Sequence, residues 1–183
     1  QEVEIIKKLS GKPFSLVAFM IKDWNKELTP WPAPPVFGKI PFGNGATDTL
    51  NFIVSQLLPL VQEEIPHVIL GGYSLAGLFA LWASYQTEKF EGIVAASPSV
   101  WFPKWIEYAT DNKPFAKSIY LSLGDKEEKT KNPVMAQVGN AIRKLNELLA
   151  EQIGNTILEW NPGNHFIDSE KRTAKGFAWV MNK

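Results

Sequence analysis

The sequence contains no cysteine, which excludes disulfides, thiolate-bound zinc and a cysteine nucleophile. It has no run of about 18 or more apolar residues, so no segment is predicted to span a bilayer. Its 19 basic and 19 acidic residues cancel, so no overall field favours nucleic acid or an anionic membrane. No signal peptide is visible. We therefore expect a cytoplasmic protein without nucleic-acid or membrane partners.

Motifs for metal and nucleotide binding are also missing. The chain has only two histidines, His67 and His165, and no pair or cluster of candidate ligands has the spacing of a metal site. Neither G-x-x-x-x-G-K-[ST] nor G-x-G-x-x-G occurs, so Gly71-Gly72 is not a phosphate loop. We predict neither a metal nor a cofactor.

What remains has the composition of an ordinary folded domain. The 183 residues are 45% hydrophobic and 21% charged, which suits one domain over residues 1–183 with a substantial core. Apolar, strand-like runs alternate with helical patterns along the chain. This alternation predicts an α/β domain with a mainly parallel central sheet and helices on both faces.

The predicted elements can be given in chain order. We predict helices over residues 2–9, from 47 or 48 to about 64 with a kink at Pro59, and over 75–86, 133–152 and 168–181. We predict strands over residues 14–21, from 67 up to a serine turn, and over 90–96, 118–123 and 156–160. Five prolines exclude regular structure from residues 22–47, and the aromatics there predict an ordered, packed loop.

One stretch leads from a buried strand into a helix through a serine turn, Gly72-Tyr73-Ser74-Leu75-Ala76-Gly77. This is the context of a nucleophile elbow, in which small residues let strand and helix approach. The usual pattern is G-x-S-x-G, and Ala76 keeps a small residue in its last place. The alternative is a glycine-rich turn that binds phosphate or only reverses the chain.

A serine nucleophile needs a base, normally a histidine. His67 opens the elbow strand at the end away from Ser74, roughly 20 Å from it by the rise of a strand, and is therefore excluded. His165 follows the last predicted strand in a Pro-Gly turn, at the carboxyl edge where sites form in such sheets.

The acid is expected between serine and histidine in the chain. The turn after the strand over residues 118–123 offers Asp125, Glu127 and Glu128, and Asp111 is less well placed. In hydrolases with a nucleophile elbow the acid commonly lies three residues after a glycine that ends a strand. Counting from Gly124 makes Glu127 our preferred acid. Asp125 and Glu128 remain alternatives.

Taken together, these segments resemble the α/β-hydrolase superfamily, and within it the esterase group that includes enterochelin-esterase-like and feruloyl-esterase-like proteins. The resemblance covers nearly the whole chain from residue 14 onward. It implies an α/β-hydrolase fold and ester hydrolysis, with Ser74 as nucleophile, Glu127 as acid and His165 as base. The matching segments are Asp23-Trp24-Asn25-Lys26-Glu27-Leu28, Gly72-Tyr73-Ser74-Leu75-Ala76-Gly77-Leu78, Ala96-Ser97-Pro98-Ser99-Val100-Trp101, Gly124-Asp125-Lys126-Glu127 and Gly163-Asn164-His165.

The oxyanion of an acyl-transfer intermediate needs two hydrogen-bond donors. Elbow geometry predicts that the backbone N–H of Leu75 is one of them. The second is expected either from the loop at Trp24 or from an element upstream of Gln1, since similar proteins carry a further strand and its oxyanion loop there. Tyr73, Trp31 and Trp101 are our candidate substrate contacts, with packing in the core as the alternative for the tryptophans.

These observations predict a serine esterase acting on a small-molecule carboxylic ester through an acyl-enzyme. One alternative is acyl transfer, thioester cleavage or peptide cleavage by the same triad. Another is a non-catalytic binding protein that keeps the α/β-hydrolase fold. The sequence leaves the substrate and the oligomeric state open.

Overall fold

The structure, a computed structural model, describes residues 1–61 and 67–183. Within these ranges four strands form one sheet, in the order β1-β2-β3-β4, and all three pairings are parallel. The predicted parallel sheet is therefore confirmed. The strands are β1 (Ile69–Tyr73), β2 (Gly92–Ala96), β3 (Ser118–Gly124) and β4 (Thr156–Asn161).

Helices alternate with these strands, as predicted. None of the described helices is long and apolar enough to cross a membrane. The α-helices are α1 (Glu2–Ser10), α2 (Trp24–Glu27), α3 (Ala46–Phe52), α4 (Leu58–Val61), α5 (Leu75–Ser84), α6 (Trp105–Asp111), α7 (Val138–Gln152) and α8 (Ser169–Met181). A π-helical turn (Ile53–Leu57) joins α3 to α4, and 3-10 turns cover Glu127–Lys129 and Met135–Gln137.

The two central strands, β2 and β3, are buried on both faces. Successive side chains of a strand point to opposite faces, and in β2 Ile93 packs into the larger core cluster while Val94 packs into a smaller one. The larger cluster includes residues of α5 and α7, whereas the smaller one includes Val180 of α8. Helices therefore cover both faces, as the alternating pattern predicted.

The predicted strand over residues 14–21 is wrong. These residues form no strand, and most of them are exposed, with Met20 at 83% and Val17 at 49%. Phe14 and Leu16 do not pair with β1, and together with Ile69 of β1 they line a cavity of about 790 Å³. An apolar run becomes a strand only when a neighbour takes up its backbone N–H and C=O groups. Within the described residues β1 is paired on one side only, with β2.

The proline-rich loop carries more regular structure than the sequence predicts. Residues 24–27 form the short helix α2, capped by Asp23, whose carboxylate accepts a hydrogen bond from the Lys26 N–H at 3.1 Å. Ala33 and Phe42 form an isolated antiparallel bridge. The prolines thus exclude long elements but leave room for a single helical turn.

The helix predicted from residue 47 or 48 to about 64 is interrupted rather than simply kinked. It begins at Ala46 after Gly45, without a side-chain cap from Thr47 or Asp48. It then widens into the π-helical turn before Pro59, which lies in α4. Proline removes one helical N–H and crowds the preceding turn, and a π turn relieves that crowding. The predicted end near residue 64 lies outside the described residues.

Helix α8 lies close to the sheet where Gly176 faces it. A Cβ at Gly176 would contact the Val94 side chain and lie 2.6 Å from the Tyr120 ring. Glycine is therefore required at this helical position for packing, although it lowers the intrinsic stability of a helix.

We expect Gly176→Ala to lower the free energy of unfolding by about 1–3 kcal/mol, because the added methyl group overpacks a filled interface. Elsewhere in a helix the same substitution would raise it by about 1 kcal/mol. Urea unfolding of the variant would measure the change.

The matched control is Gly139→Ala in α7, where a Cβ would meet the movable carboxylate of Glu128. It displaces Glu128 from its partly exposed pair with Arg143, at a cost below about 1 kcal/mol, and the higher helix propensity of alanine should offset this loss, so the control should change stability little. A Gly176→Ala variant as stable as Gly139→Ala would contradict the close packing of α8.

Candidate active site

Ser74 lies on a strained turn between β1 and α5. Its backbone has φ 59° and ψ −122°, a conformation that L-residues rarely adopt. A Cβ at Gly72 would lie 2.5 Å from the Ala76 carbonyl carbon and 2.6 Å from the Ala76 Cβ. The strand and helix therefore approach as a nucleophile elbow requires, and Gly72 leaves the space.

Three predicted side chains converge at the carboxyl edge of the sheet. His165 Nε2 is 3.0 Å from Ser74 Oγ, and His165 Nδ1 is 2.7 Å from Glu127 Oε2. Ser74 follows β1, Glu127 follows β3 and His165 follows β4. Both contacts have the length of hydrogen bonds, so Ser74, His165 and Glu127 can form one continuous chain of contacts.

The other candidate acids have different partners. The Asp125 carboxylate accepts a hydrogen bond from the Gly163 N–H at 2.8 Å, which ties two loops together. Glu128 forms a bidentate pair with Arg143 on the outside of α7. Asp111 is the last residue of α6. Of the four acids, Glu127 is the one that contacts His165.

The Glu127 carboxylate is buried and well supplied with donors. Its Oε1 accepts hydrogen bonds from Ser97 Oγ and from the Gly124 N–H, each at 2.7 Å, and from Arg172 at 2.8 Å. Burial raises the pKa of Glu127, but hydrogen bonds from His165, Ser97 and the Gly124 N–H outweigh it, and the pKa lies below its ordinary value. Glu127 therefore stays ionised beside His165.

Sequence reasoning missed two members of this polar network, Ser97 and Arg172. Ser97 follows β2 at the same edge of the sheet and has a positive φ of 43°. Its position after a strand was a usable signal, since Ser74, Glu127 and His165 each follow a strand too. Arg172 lies in α8, and no local pattern connects a helical arginine with a carboxylate 45 residues earlier in the chain.

A second hydroxyl lies beside that of Ser74. Ser99 Oγ is 3.4 Å from Ser74 Oγ, and the Ser99 N–H donates to the Ser74 carbonyl at 3.1 Å. Ser99 is 2% exposed. It braces the elbow from the loop after β2, while the imidazole contacts Ser74.

The two predicted oxyanion donors differ in their placement. Leu75 opens α5, so its backbone N–H lies in the first turn, where helices leave their N–H groups without intrahelical partners. Trp24 opens α2 and is 47% exposed. Among the described residues no hydrogen bond joins Trp24 to Ser74, Glu127 or His165, and its role stays a prediction.

The predicted substrate contacts also make contacts within the protein. Trp31 donates its indole N–H to the Pro103 carbonyl at 2.9 Å, and Trp101 packs against Phe42. The Tyr73 hydroxyl donates to the His165 carbonyl at 2.7 Å. These contacts give the tryptophans a packing role and Tyr73 a role in holding the histidine loop. Contact of these residues with substrate remains a prediction.

His67 lies before β1, at the end of the strand away from Ser74, and pairs with Glu91. Its side chain is 69% exposed. In residues 1–61 and 67–183, no group of three or more His, Asp or Glu side chains is arranged to hold a metal ion.

A parallel sheet covered on both faces, with a serine on a strained turn between strand and helix, defines an α/β-hydrolase fold. The family model described as "Putative esterase" matches residues 12–166. The chain therefore belongs to this esterase family, whose chemistry is ester hydrolysis. No curated protein matches it in sequence.

Solved structures of esterases and related hydrolases share the fold. The siderophore hydrolase EstA from Aspergillus nidulans is 22% identical with a TM-score of 0.74, over 99% of this chain and 78% of EstA. An IroE-like serine hydrolase from Shewanella oneidensis is 20% identical with a TM-score of 0.67, over 84% of this chain and 55% of that protein. The enterobactin esterase FES from Shigella flexneri is 20% identical with a TM-score of 0.60, over 73% of this chain and 38% of FES. The chain thus spans less than two thirds of the latter two proteins.

The lowered pKa of Glu127 predicts how its contribution to stability depends on pH. The ionised carboxylate stabilises the folded state above its ordinary pKa of 4.5, and this stabilisation is lost as the pH falls through the lower folded-state pKa. Glu127→Gln should therefore unfold more easily by about 3 kcal/mol at neutral pH, since it leaves Arg172 buried without a counter-charge.

The difference between Glu127→Gln and the wild type should shrink below pH 4.5, as the wild-type carboxyl becomes protonated. Denaturant unfolding at several pH values measures it. Glu128→Gln is the matched control, and its partly exposed pair with Arg143 should contribute less than about 1 kcal/mol. Equal losses in the two variants would contradict the special position of Glu127.

Proposed function

We propose that this chain hydrolyses small-molecule carboxylic esters, with Ser74 as nucleophile, His165 as general base and Glu127 as the orienting acid. The observation that carries this proposal is the unbroken contact from Glu127 Oε2 through both nitrogens of His165 to Ser74 Oγ. Membership of the esterase family supports the same chemistry. No metal or cofactor takes part in the proposed reaction.

The contact between Glu127 and His165 selects the tautomer that the reaction needs. A carboxylate can only accept, so the 2.7 Å contact requires the hydrogen on Nδ1. Nε2 then carries a lone pair 3.0 Å from the Ser74 hydroxyl and can accept its proton. When the imidazole becomes charged, the adjacent carboxylate stabilises it.

Acylation and deacylation follow from this arrangement. Ser74 Oγ attacks the ester carbonyl carbon while Nε2 takes the hydroxyl proton, and the carbonyl oxygen becomes an oxyanion. The tetrahedral intermediate collapses, the C–O bond to the alcohol breaks, and the imidazolium returns its proton to the leaving alkoxide. A water molecule then attacks the acyl carbon while Nε2 takes its proton. The bond to Ser74 Oγ breaks, the imidazolium returns the proton to Ser74, and the carboxylic acid is released.

The oxyanion faces the start of α5, where we place the Leu75 N–H as one donor. Trp24 is the candidate for the second donor, and Tyr73, Trp31 and Trp101 are the candidates for contact with the ester. Similar structures described as siderophore and enterobactin hydrolases suggest an acylated small molecule as the natural ester. The zero net charge and the absence of cysteine favour a cytoplasmic enzyme without nucleic-acid or membrane partners.

Ser74→Ala should reduce kcat/KM for p-nitrophenyl acetate by at least about a thousandfold, because the nucleophile is lost while the rest of the site stays. A fluorophosphonate probe should label the wild type and fail to label the variant. Ser99→Ala, which removes the neighbouring hydroxyl, should keep the label. A wild-type chain that neither turns over the ester nor takes the label would favour a non-catalytic binding protein.

The two histidines provide a matched pair for testing the base. His165→Ala should lower kcat by about a thousandfold or more, because no other imidazole contacts Ser74. His67→Ala removes an exposed imidazole at the far end of β1 and should leave kcat and KM unchanged. Comparable losses in both variants would contradict the assignment of His165.

A further inference from the structure

The sequence contains two arginines, and the structure pairs them with two consecutive acids. Arg143 pairs with Glu128, and its side chain is 46% exposed. Arg172 pairs with Glu127, and its side chain is 1% exposed. The same ion pair thus occurs once at the surface and once inside the protein, beside the proposed base.

Arg172 connects the acid to the loop that carries His165. Its Nη1 lies 2.8 Å from Glu127 Oε1, 3.1 Å from Ser97 Oγ and 3.2 Å from the Tyr73 hydroxyl. Its Nη2 donates to the carbonyls of Pro162 and Asn164, each at 3.1 Å. The planar guanidinium can donate to the Glu127 carboxylate and to the loop carbonyls at the same time, whereas the ammonium group of a lysine is a single point charge.

The two oxygens of the Glu127 carboxylate contact different side chains. Oε1 contacts Arg172, whose charge is permanent, while Oε2 contacts His165. Without Arg172 the imidazole would be the remaining partner that could offset the buried charge of Glu127. The arginine therefore neutralises the buried carboxylate without occupying the oxygen that orients His165.

The other titratable group in this network is Tyr73, from the end of β1. Burial raises the pKa of Tyr73, so its hydroxyl stays neutral. It accepts from Arg172 and donates to the His165 carbonyl, which adds a second connection between the arginine and the histidine loop. Arg172 thus contacts Glu127 directly, and it contacts the histidine loop through Tyr73 and the carbonyls of Pro162 and Asn164.

We propose that Arg172 is a positioning residue of the esterase, acting through Glu127. Its charge neutralises the Glu127 carboxylate, and its planar guanidinium holds the loop after β4 so that His165 stays in contact with Ser74. This inference rests on the proposed function, and it assigns no contact between Arg172 and the ester.

The test compares Arg172→Gln, Arg172→Lys and the matched control Arg143→Gln in the full chain. The pH dependence of kcat/KM for p-nitrophenyl acetate is the first measurement. In Arg172→Gln the acid limb should move to higher pH by about one unit or more, because the neutralising charge is gone. Arg143→Gln should leave the limb in place.

Arg172→Lys keeps the positive charge and loses the planar guanidinium, whose two terminal nitrogens bind Glu127 and the loop carbonyls. Its acid limb should stay within about 0.3 pH units of the wild type, while kcat falls about tenfold because the histidine loop is held less well. If the acid limb of Arg172→Lys moves to higher pH by about one unit, or if its kcat is unchanged, the proposal is overturned. This variant also decides the question if Arg172→Gln does not fold.

NMR titration gives a readout that needs no turnover. With His67→Asn removing the other imidazole signal, the midpoint of the His165 titration should rise in Arg172→Gln by about one pH unit or more. An unchanged midpoint in the folded variant would overturn the proposal. Failure of the proposed esterase itself is distinguishable, because then the wild type and Ser74→Ala would show the same lack of turnover.

Discussion

The structure of the site depends on one buried charge, the carboxylate of Glu127. A carboxylate removed from water must be neutralised and fully hydrogen-bonded, or it destabilises the fold. Here its partners come from separate parts of the chain: Ser97 after β2, Gly124 at the end of β3, His165 after β4 and Arg172 in α8. The same contacts that make the charge tolerable also hold the proposed base against Ser74.

This coupling explains why α8 packs so closely on the sheet. At Gly176 the helix is so close to Val94 that no side chain would fit between them. Arg172 lies one turn earlier on the same helix. A helix farther from the sheet would withdraw the guanidinium from the Glu127 carboxylate. Packing on one face and polar geometry at the carboxyl edge are therefore parts of one constraint.

The sequence predicted most of the fold, and it named the three side chains that the structure brings together. Hydrophobic periodicity and turn residues in the sequence located the strands β1 to β4. Ser74, Glu127 and His165 each follow one of these parallel strands, so all three were expected at the same edge of the sheet. The strand over residues 14–21 was wrong, because apolar composition carries no information about a hydrogen-bonding partner. Arg172 was missed because its partner is distant in sequence and its helix gives no sign of which side faces the carboxylate.

The sequence by itself determined the chemistry available: a serine on a turn of small residues, one usable histidine and a short run of acids after Gly124. These depend on local backbone geometry and residue type, which neighbouring residues specify. Only the tertiary structure decided which acid meets the imidazole and which arginine neutralises it, with Asp125 holding the Gly163 loop and Glu128 pairing with Arg143 at the surface. Those choices depend on burial and long-range packing, because a charge is forced into a specific partnership only where water is excluded.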